Sequence, residues 1–496
     1  MKFSLKIFGI CFSVFLTTLD FSIVNTTLAT IQRQLDCSFV QLIWIMTIFI
    51  IVVATLTVTM GRIGNLFGNK RTLTIGLVFF GVGSLLSGSA PSIEELLLGR
   101  AFQGLGTSII LPTSLSLLIH AFETKKNKMA LKLWTLALAM GVLLGPILSS
   151  IIVTTLSWRW IFFNNLPWVL LSLLFVRTLT KEHKHHQKRH LDGIGVLLIG
   201  LMLISLCLIL IQGPSWGWSS WNTLSCTAVL IISAVLLYFN EKSVDDPLIN
   251  FHHVHSSVAF CSFCVGGITW STFFLLPLYL QSIYHLNPWH VMLVLSVVTV
   301  PFFVISRLKI HIIQKLTSTK ILLCGLVSLG ASAVIQAFFQ EDTHIFILLI
   351  ACFLFGIGWG LTFNSALEIP QRVSETLKTV RGMGRALFLA MCATLFLQMH
   401  QNALEFGLYD SHVTLNSDQI ENIKSLMSDP DLMKQQLDQY GVVDGQALIT
   451  LFRTSFLEAY QGAMGFLAMV SLATILSVVL SQMHARAYAY KMRFKN

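Results

Sequence analysis

The feature that most constrains this chain is a series of fourteen apolar stretches separated by short polar segments. A helix needs about 20 apolar residues to cross the hydrocarbon core of a bilayer. Charged residues make up only 11% of the sequence and hydrophobic residues 54%, whereas a soluble domain carries about 25% charged residues. A soluble fold could not bury so much apolar surface, so we expect an all-α polytopic membrane protein. The predicted spans are 6–27, 41–60, 72–90, 96–119, 131–153, 160–177, 192–212, 222–239, 258–280, 290–306, 320–338, 345–366, 382–400 and 459–481.

The distribution of Lys and Arg predicts the orientation. Most of the 33 basic residues fall in alternate loops, with clusters at 70–71, 125–128 and 181–189. Because cytoplasmic loops are enriched in Lys and Arg, both termini are predicted to be cytoplasmic, which an even number of spans requires. The net charge of +10 belongs to these short loops and therefore does not indicate a nucleic-acid partner.

Two ionisable residues lie inside predicted spans: Asp20 in the first and Arg100 in the fourth. A charge at bilayer depth is costly and usually marks a transport path or proton relay. Arg100 needs an anion, backbone carbonyls or water beside it, and Asp20 is a candidate partner, directly or through water. The alternative is that Asp20 lies near a helix end and reaches water. Asn25 adds a polar group one turn further along the first span.

The sequence contains a weak internal repeat. Residues 104–118 resemble 356–370, and Gly76 after a basic cluster resembles Gly325 after Lys320. We therefore predict an N-terminal six-span bundle over 1–180, two inserted spans over 181–257, and a C-terminal bundle over 258–496 with an outward-facing loop at 401–458. Repeated halves around a midplane site are the architecture of secondary transporters.

Glycines recur at helical spacing in the fourth and fifth spans, at Gly104, Gly106, Gly141 and Gly145. Small residues at this spacing let membrane helices approach closely. Pro146 removes a backbone donor and can bend the fifth helix. These residues fit both tight packing and a bundle that rocks during transport.

Several motifs carry a resemblance to a known family. They resemble, in order, the motifs of the fourteen-span drug/proton antiporters of the major facilitator superfamily: TLDFSIVN at 18–25, RAFQGLGT at 100–107, GVLLGP at 141–146, WRWIFFNNLP at 158–167, GPSWGWS at 213–219 and DPLI at 246–249. The resemblance implies a major facilitator fold of two six-helix bundles plus two inserted helices. It also implies proton-coupled export of small lipophilic or cationic compounds, with Asp20 and Arg100 in proton coupling and Asn25 on the substrate pathway.

The sequence departs from the family in three places. In the loop at 61–71, Gly61 and Gly68 match the family's gating motif and Arg71 is a further gating candidate. Asn65 stands where the motif has an acid, and Leu66 and Asn69 stand where it has arginines. The charge network of this gate must therefore be reduced or rebuilt. In the fifth span, Ser149 and Ser150 replace a closing pair of glycines. In the thirteenth span, positions 389 and 392 are Leu and Cys where this branch often has Asn and Arg.

These departures leave three alternatives open: an exporter of one metabolite or siderophore-like compound, an uncoupled facilitator, and a non-transporting receptor-like protein. The sequence has no GxxxxGK[ST] loop, so ATP use is not expected. The His-rich runs at 182–190 and 252–255 are interpreted as solvated loops because neither has closed-site metal spacing. We expect no cofactor, metal or enzymatic activity. The expected partners are a small-molecule substrate, protons, the bilayer of a bacterial inner membrane and, by analogy alone, a periplasmic adaptor.

Overall fold

The computed structural model describes residues 2–35, 37–121, 127–177, 192–244, 256–284, 286–308, 317–365, 371–410 and 445–493. Helices account for nearly all of these residues, and the described part of the chain contains no strand. The helices are α1 (Lys2–Leu35), α2 (Phe39–Phe67), α3 (Asn69–Ser89), α4 (Ile93–Ala121), α5 (Asn127–Thr155), α6 (Trp160–Phe163), α7 (Asn165–Arg177), α8 (Gly193–Trp216), α9 (Trp221–Ser243), α10 (Ser256–Ser282), α11 (Pro288–Leu308), α12 (Ser318–Ala337), α13 (Ile345–Ser365), α14 (Gln371–Asp410) and α15 (Gly445–Arg493).

Fourteen helical segments are long and apolar enough to cross a membrane, which confirms the predicted all-α polytopic class. The sixth segment, Trp160–Arg177, consists of α6 and α7. It is interrupted at Asn164 because Pro167 has no N–H to donate to the carbonyl of Phe163, four residues earlier. The interruption allows Asn165 to begin a new helix.

The contacts between helices fall into two groups. In the first half, α3 packs along α4, α2 along α4, and α1 along α5 and α7; in the second, α10 packs along α14, and α12 along α13 and α15. The two groups meet where α2 contacts α14 and α5 contacts α11, with a smaller contact between α1 and α10.

The internal repeat seen in the sequence reappears as equivalent contacts. A Cβ on Gly106 of α4 would collide with the carbonyl of Gly76 and the amide of Phe80 on α3. A Cβ on Gly358 of α13 would collide in the same way with Gly325 and Leu329 on α12. Gly325 follows Gly76 by the same number of residues as Leu329 follows Phe80. Each half therefore uses a glycine to bring equivalent helices into backbone contact.

Helices α8 and α9 pack on one another, and α8 also contacts α2 and α14. Helix α9 is the more peripheral of the two, since only 17% of the residues in its most apolar stretch are buried. Its large apolar side chains, including Leu224, Ile231 and Val235, are exposed. In a membrane these side chains face lipid, where apolar surface needs no burial against protein.

The helices on either side of the predicted outward loop are longer than expected. The loop was predicted over 401–458, but α14 continues to Asp410 and α15 begins at Gly445. Correspondingly, the thirteenth span is wider than the predicted 382–400, reaching Thr376–Leu404. The His-rich runs at 182–190 and 252–255 and the middle of the loop, 411–444, lie outside the described residues.

Candidate functional site

The two ionisable residues predicted inside the membrane are in direct contact. Nη1 of Arg100 on α4 lies 2.8 Å from Oδ2 of Asp20 on α1. Asp20 is 1% exposed and Arg100 is 0% exposed. The sequence left open whether these residues interact directly, through water or not at all, and the structure places them in a buried ion pair.

Two amides complete the coordination of the Asp20 carboxylate. Nε2 of Gln103 and Nδ2 of Asn165 donate to Oδ1 of Asp20 at 2.8 and 2.7 Å. Both amides also donate to Oγ of Ser84, at 2.9 and 3.3 Å respectively. The carboxylate therefore accepts hydrogen bonds from side chains of α4 and α7, and Ser84 connects both donors to α3.

Arg100 has further contacts that fix its position. Its Nε donates to the carbonyl oxygen of Ile45 on α2 at 3.2 Å, and its Nη1 donates to Oε1 of Gln103 at 2.9 Å. The guanidinium carbon lies 4.4 Å from the ring centroid of Phe49, a cation–π arrangement. Nη2 is buried without a hydrogen-bond partner among the described residues.

This cluster, formed by Asp20, Ser84, Arg100, Gln103 and Asn165, is here called the Asp20 cluster. Its contacts join α1, α2, α3, α4 and α7 around one charge pair. Removing either charge leaves the other buried and unpaired, which costs about 3–5 kcal/mol in measured cases. The negative charge of Asp20 thus holds Arg100 at the point where the five helices meet.

Asn25 lies on the same helix, at the contact between the two groups of helices. Its Nδ2 donates to the carbonyl oxygen of Phe273 on α10 at 2.6 Å. One turn earlier, the ring of Phe21 lies 3.9 Å from that of Trp270, centroid to centroid. Since these contacts join α1 to α10, the two halves are closed against each other beside the Asp20 cluster.

The predicted packing glycines lie at close helix contacts. A Cβ on Gly104 would meet the carbonyl of Phe49 on α2, while Gly141 and Gly145 of α5 face α1 so closely that a Cβ would collide with Thr18 and Ser22. Helix α5 continues through Pro146 to Thr155. These contacts position α1, and with it the Asp20 carboxylate, between α4 and α5.

In the predicted gating segment between α2 and α3, the two asparagines at charged positions of the motif contact uncharged side chains. A Cβ on Gly61 would touch Pro112 of α4, Gly68 has a φ of 103° where α2 ends, and Arg71 is exposed on α3. Nδ2 of Asn69 donates to Oδ1 of Asn65 at 3.3 Å and to Oγ of Ser116 on α4 at 3.0 Å. Asn65, Asn69 and Ser116 thus form a cluster of two amides and a hydroxyl at positions where the motif has an acid and an arginine.

Sequence reasoning did not single out three members of the Asp20 cluster. Gln103 had a detectable signal, because a polar residue three positions after a membrane arginine shares its helix face. Asn165 lay within a quoted motif but was not assigned a role. Ser84 had no signal, because a serine in a membrane helix commonly bonds its own backbone.

No group of three or more His, Cys, Asp or Glu residues that could hold a metal occurs in the described part of the chain. No disulfide bond joins cysteines among the described residues. The site consists of an ion pair, two amides and a hydroxyl on membrane helices.

Comparison with known proteins identifies the class. The chain belongs to the Major Facilitator Superfamily, whose family model matches residues 10–396. Multidrug resistance protein 3 of Bacillus subtilis is 22% identical over 415 residues, covering 82% of this chain and 81% of that protein. The riboflavin transporter RibZ of Clostridioides difficile is 27% identical over 431 residues, covering 83% of this chain and 92% of that protein.

A solved structure confirms the fold. A bacterial homologue of the human lysosomal transporter Spinster, in an inward-facing and unoccupied conformation, aligns with a TM-score of 0.63 over 96% of this chain and 97% of that chain. The two sequences are 13% identical, so the likeness concerns the fold alone. Together these comparisons make the protein a multi-pass membrane transporter and not an enzyme.

Proposed function

We propose that this transporter exports small lipophilic compounds in exchange for protons, and that Asp20 is the group that binds and releases the proton. The observation that carries the proposal is the buried pair of Asp20 and Arg100, with two further donors on the same carboxylate. Several relatives are named multidrug resistance proteins, including one in Mycobacterium tuberculosis that is 28% identical over 353 residues.

The proposed cycle uses the linkage between the proton and the helices. With Asp20 ionised, Arg100, Gln103 and Asn165 are held on α1. When the halves separate and water reaches the cluster, Asp20 can accept a proton, and α1 is then released from its partners on α4 and α7. When the halves close at this end and separate at the other, Asp20 releases the proton on the other side of the membrane.

The available energy is sufficient for export. One charge moving through about 150 mV supplies roughly 3.5 kcal/mol, which supports a substrate gradient of about 300-fold. The proposal places the protein in a bacterial inner membrane with both termini in the cytoplasm, because the Lys- and Arg-rich loops would then be cytoplasmic.

The test is proton movement in proteoliposomes that contain a pH-sensitive dye. Wild type, Asp20→Asn and Asp192→Asn are reconstituted at matched orientation and challenged with lipophilic compounds that are neutral, cationic or anionic. Asp192 is a suitable control because it is also buried, but it caps α8 by accepting from the backbone N–H of Gly195 and from Asn240. Asn is an equally good N-cap.

Substrate-driven proton flux in wild type and Asp192→Asn, with loss to background in Asp20→Asn, is the expected result. Equal substrate accumulation in all three forms, independent of the pH gradient, would reject proton coupling and support a facilitator. A second candidate is transport of one metabolite, favoured by the 27% identity to a riboflavin transporter over 83% of this chain. Riboflavin is therefore included in the panel, and a response to it alone would support this candidate.

A further inference from the structure

The second half of the protein holds an arginine deeper in the membrane than the sequence indicates. The span predicted over 382–400 places Arg385 near its start, where the side chain could reach water. In the structure α14 begins at Gln371, so Arg385 lies about 21 Å along the helix at roughly 1.5 Å per residue. It therefore lies within the apolar segment Thr376–Leu404.

Close packing of α14 on α10 fixes the surroundings of this arginine. A Cβ on Gly266 of α10 would collide with the carbonyl of Arg381, and a Cβ on Gly384 of α14 would collide with the carbonyl of Phe263. The two backbones are therefore in contact one turn before Arg385, and the side chains of the next turn must meet.

The side chain that Arg385 meets is Trp270. The guanidinium carbon of Arg385 lies 4.5 Å from the ring centroid of Trp270, and both side chains are half-buried. Trp270 in turn contacts Phe21 of α1. Gly382, on the same face of α14, is packed against Ala54 of α2, so this face points toward the other half and away from lipid.

Arg385 differs from Arg100 in having no carboxylate partner among the described residues. Its Nε is buried without a hydrogen-bond partner in that part of the chain. The nearest charge on its own helix is Arg381, one turn earlier and of the same sign. The described carboxylate within this region, Asp20, is already bound by Arg100.

A second positive charge without a counter-ion makes this region attractive to an anion. A charge taken out of water needs a partner, and an ionisable residue within the membrane usually marks a substrate or ion pathway. An arginine stacked on an aromatic face leaves the N–H groups at its edge free, and these match the geometry of carboxylate, sulfonate or phosphate oxygens.

We propose that Arg385, Trp270 and Phe21 form the subsite that receives the anionic group of an aromatic substrate, so that anionic aromatic compounds are preferred over cationic ones. The proposal names the substrate class of the transporter proposed above and rests on that function. Arg385 binds the anion, while the rings of Trp270 and Phe21, from the two halves of the molecule, contact the aromatic part.

The test compares two probes that differ by one charged group: anilinonaphthalene sulfonate and its uncharged parent, N-phenylnaphthylamine. A quaternary ammonium derivative of the same rings serves as the cation. Affinities for purified full-length protein are measured by fluorescence titration, with the signal of empty detergent micelles subtracted. The variants are Arg385→Gln, Arg385→Lys and Arg159→Gln.

Arg159 is the matched control because it has the same stacking geometry in a different place. Its guanidinium carbon lies 4.6 Å from the ring centroid of Trp158, and its Nη2 donates to the carbonyl of Ala90 beside α3. If any stacked arginine on the protein bound the sulfonate, Arg159→Gln would weaken binding as much as Arg385→Gln.

Wild type is expected to bind the sulfonate at least about tenfold more tightly than the ammonium compound. Arg385→Gln should lose about tenfold or more in affinity for the sulfonate while its affinity for the uncharged parent is kept. Arg385→Lys should lose less, and Arg159→Gln should match wild type.

Equal affinity of wild type for anion and cation would overturn the proposal, even if Arg385→Gln fails to fold. So would an equal loss of both sulfonate and parent binding in a folded Arg385→Gln protein, since that would make Arg385 a packing residue. The measurement needs no proton gradient. Charge-selective binding without proton flux would reject the proton coupling proposed for Asp20 and leave the subsite standing. Proton-coupled transport of cations would reject the subsite and leave the proton coupling standing.

Discussion

The two halves of the protein share a backbone plan but differ in the charge of their interiors. In the first half, three polar side chains, those of Ser84, Gln103 and Asn165, surround the ion pair of Asp20 and Arg100. In the second half, the buried polar group is neutral: Tyr460 donates to Oε1 of Gln336 at 2.6 Å, and Nε2 of Gln336 donates to Oγ of Ser332 at 2.9 Å.

The correspondence between these two clusters is close. Gln336 follows Ser87 by the same number of residues as Gly325 follows Gly76, so the two positions are equivalent in the repeat. Oγ of Ser87 lies 3.5 Å from Oε1 of Gln103. The same depth of the fold is thus polar in both halves, but among the described residues the first half has an ion pair there and the second has the uncharged side chains of Tyr460 and Gln336. Under the two proposals above, the first half binds the proton at Asp20 and the second half selects the substrate through Arg385.

The largest expected effect comes from breaking the charge pair in the first half. Arg100→Met should lower the free energy of unfolding by about 3–5 kcal/mol, because Asp20 is left buried without its cation. The double variant Asp20→Asn/Arg100→Met should recover much of that loss. The measurement is thermal unfolding of the four proteins of this cycle in detergent. Additive effects of the two single changes would contradict a coupled pair.

The next comparison contrasts a hydrogen bond to a charge with one between neutral groups. Gln103→Met removes a donor to the Asp20 carboxylate and should cost about 1.5–3 kcal/mol, whereas Tyr460→Phe should cost about 0.5–1.5 kcal/mol. Chemical unfolding of both variants measures the difference. Equal losses would mean that Asp20 is not ionised in this state, because a neutral acceptor would then be present in each half.

A smaller effect tests the shared backbone plan. Gly106→Ala and Gly358→Ala each place a Cβ against the backbone of the neighbouring helix, and each should cost about 1–3 kcal/mol. Gly465→Ala is the control, since nothing lies within 4 Å of its Cβ position, and it should be neutral or slightly stabilising. Unfolding temperatures of the three variants provide the measurement. A loss confined to one half would show that the halves are packed by different rules.

Much of this architecture could be predicted from the sequence, for physical reasons. Span length and apolarity are local properties that the bilayer enforces, so the class and the fourteen spans were confirmed. The repeat around Gly106 and Gly358 was also detectable, because a close backbone contact requires glycine on both occasions. Ion partners were harder to assign: two spans separate Asp20 from Arg100 along the chain, and only their shared cost of burial suggested a pair.

The remaining features depend on packing that no local pattern records. Asn165 reaches Asp20 because the chain is interrupted before Pro167. Arg385 appeared close to water because the apolar pattern of its span begins late, whereas α14 extends eleven residues before the predicted start at 382. The guanidinium of Arg385 lies on Trp270 because glycines of both α10 and α14 bring the two backbones into contact. The sequence of one helix does not reveal such a contact.

The smallest expected effect concerns the contact between the halves. Asn25→Ala removes the hydrogen bond from α1 to the carbonyl of Phe273, worth about 1 kcal/mol. Since this bond exists only while the halves are closed at this end, its loss should raise the population of the separated state about fivefold. The alkylation rate of Cys37, a buried cysteine just before the start of α2, reports that population.

The internal reference for this measurement is Cys324, which is exposed. The control variant is Thr26→Ala, because the hydroxyl of Thr26 donates to carbonyls of its own helix. Peptide-level mass spectrometry separates the two thiols. A faster reaction of Cys37 in Asn25→Ala alone would show that the halves open at this end. Unchanged alkylation would mean that the aromatic contact of Phe21 with Trp270 holds the halves together without Asn25, and that opening must then begin at the substrate subsite itself.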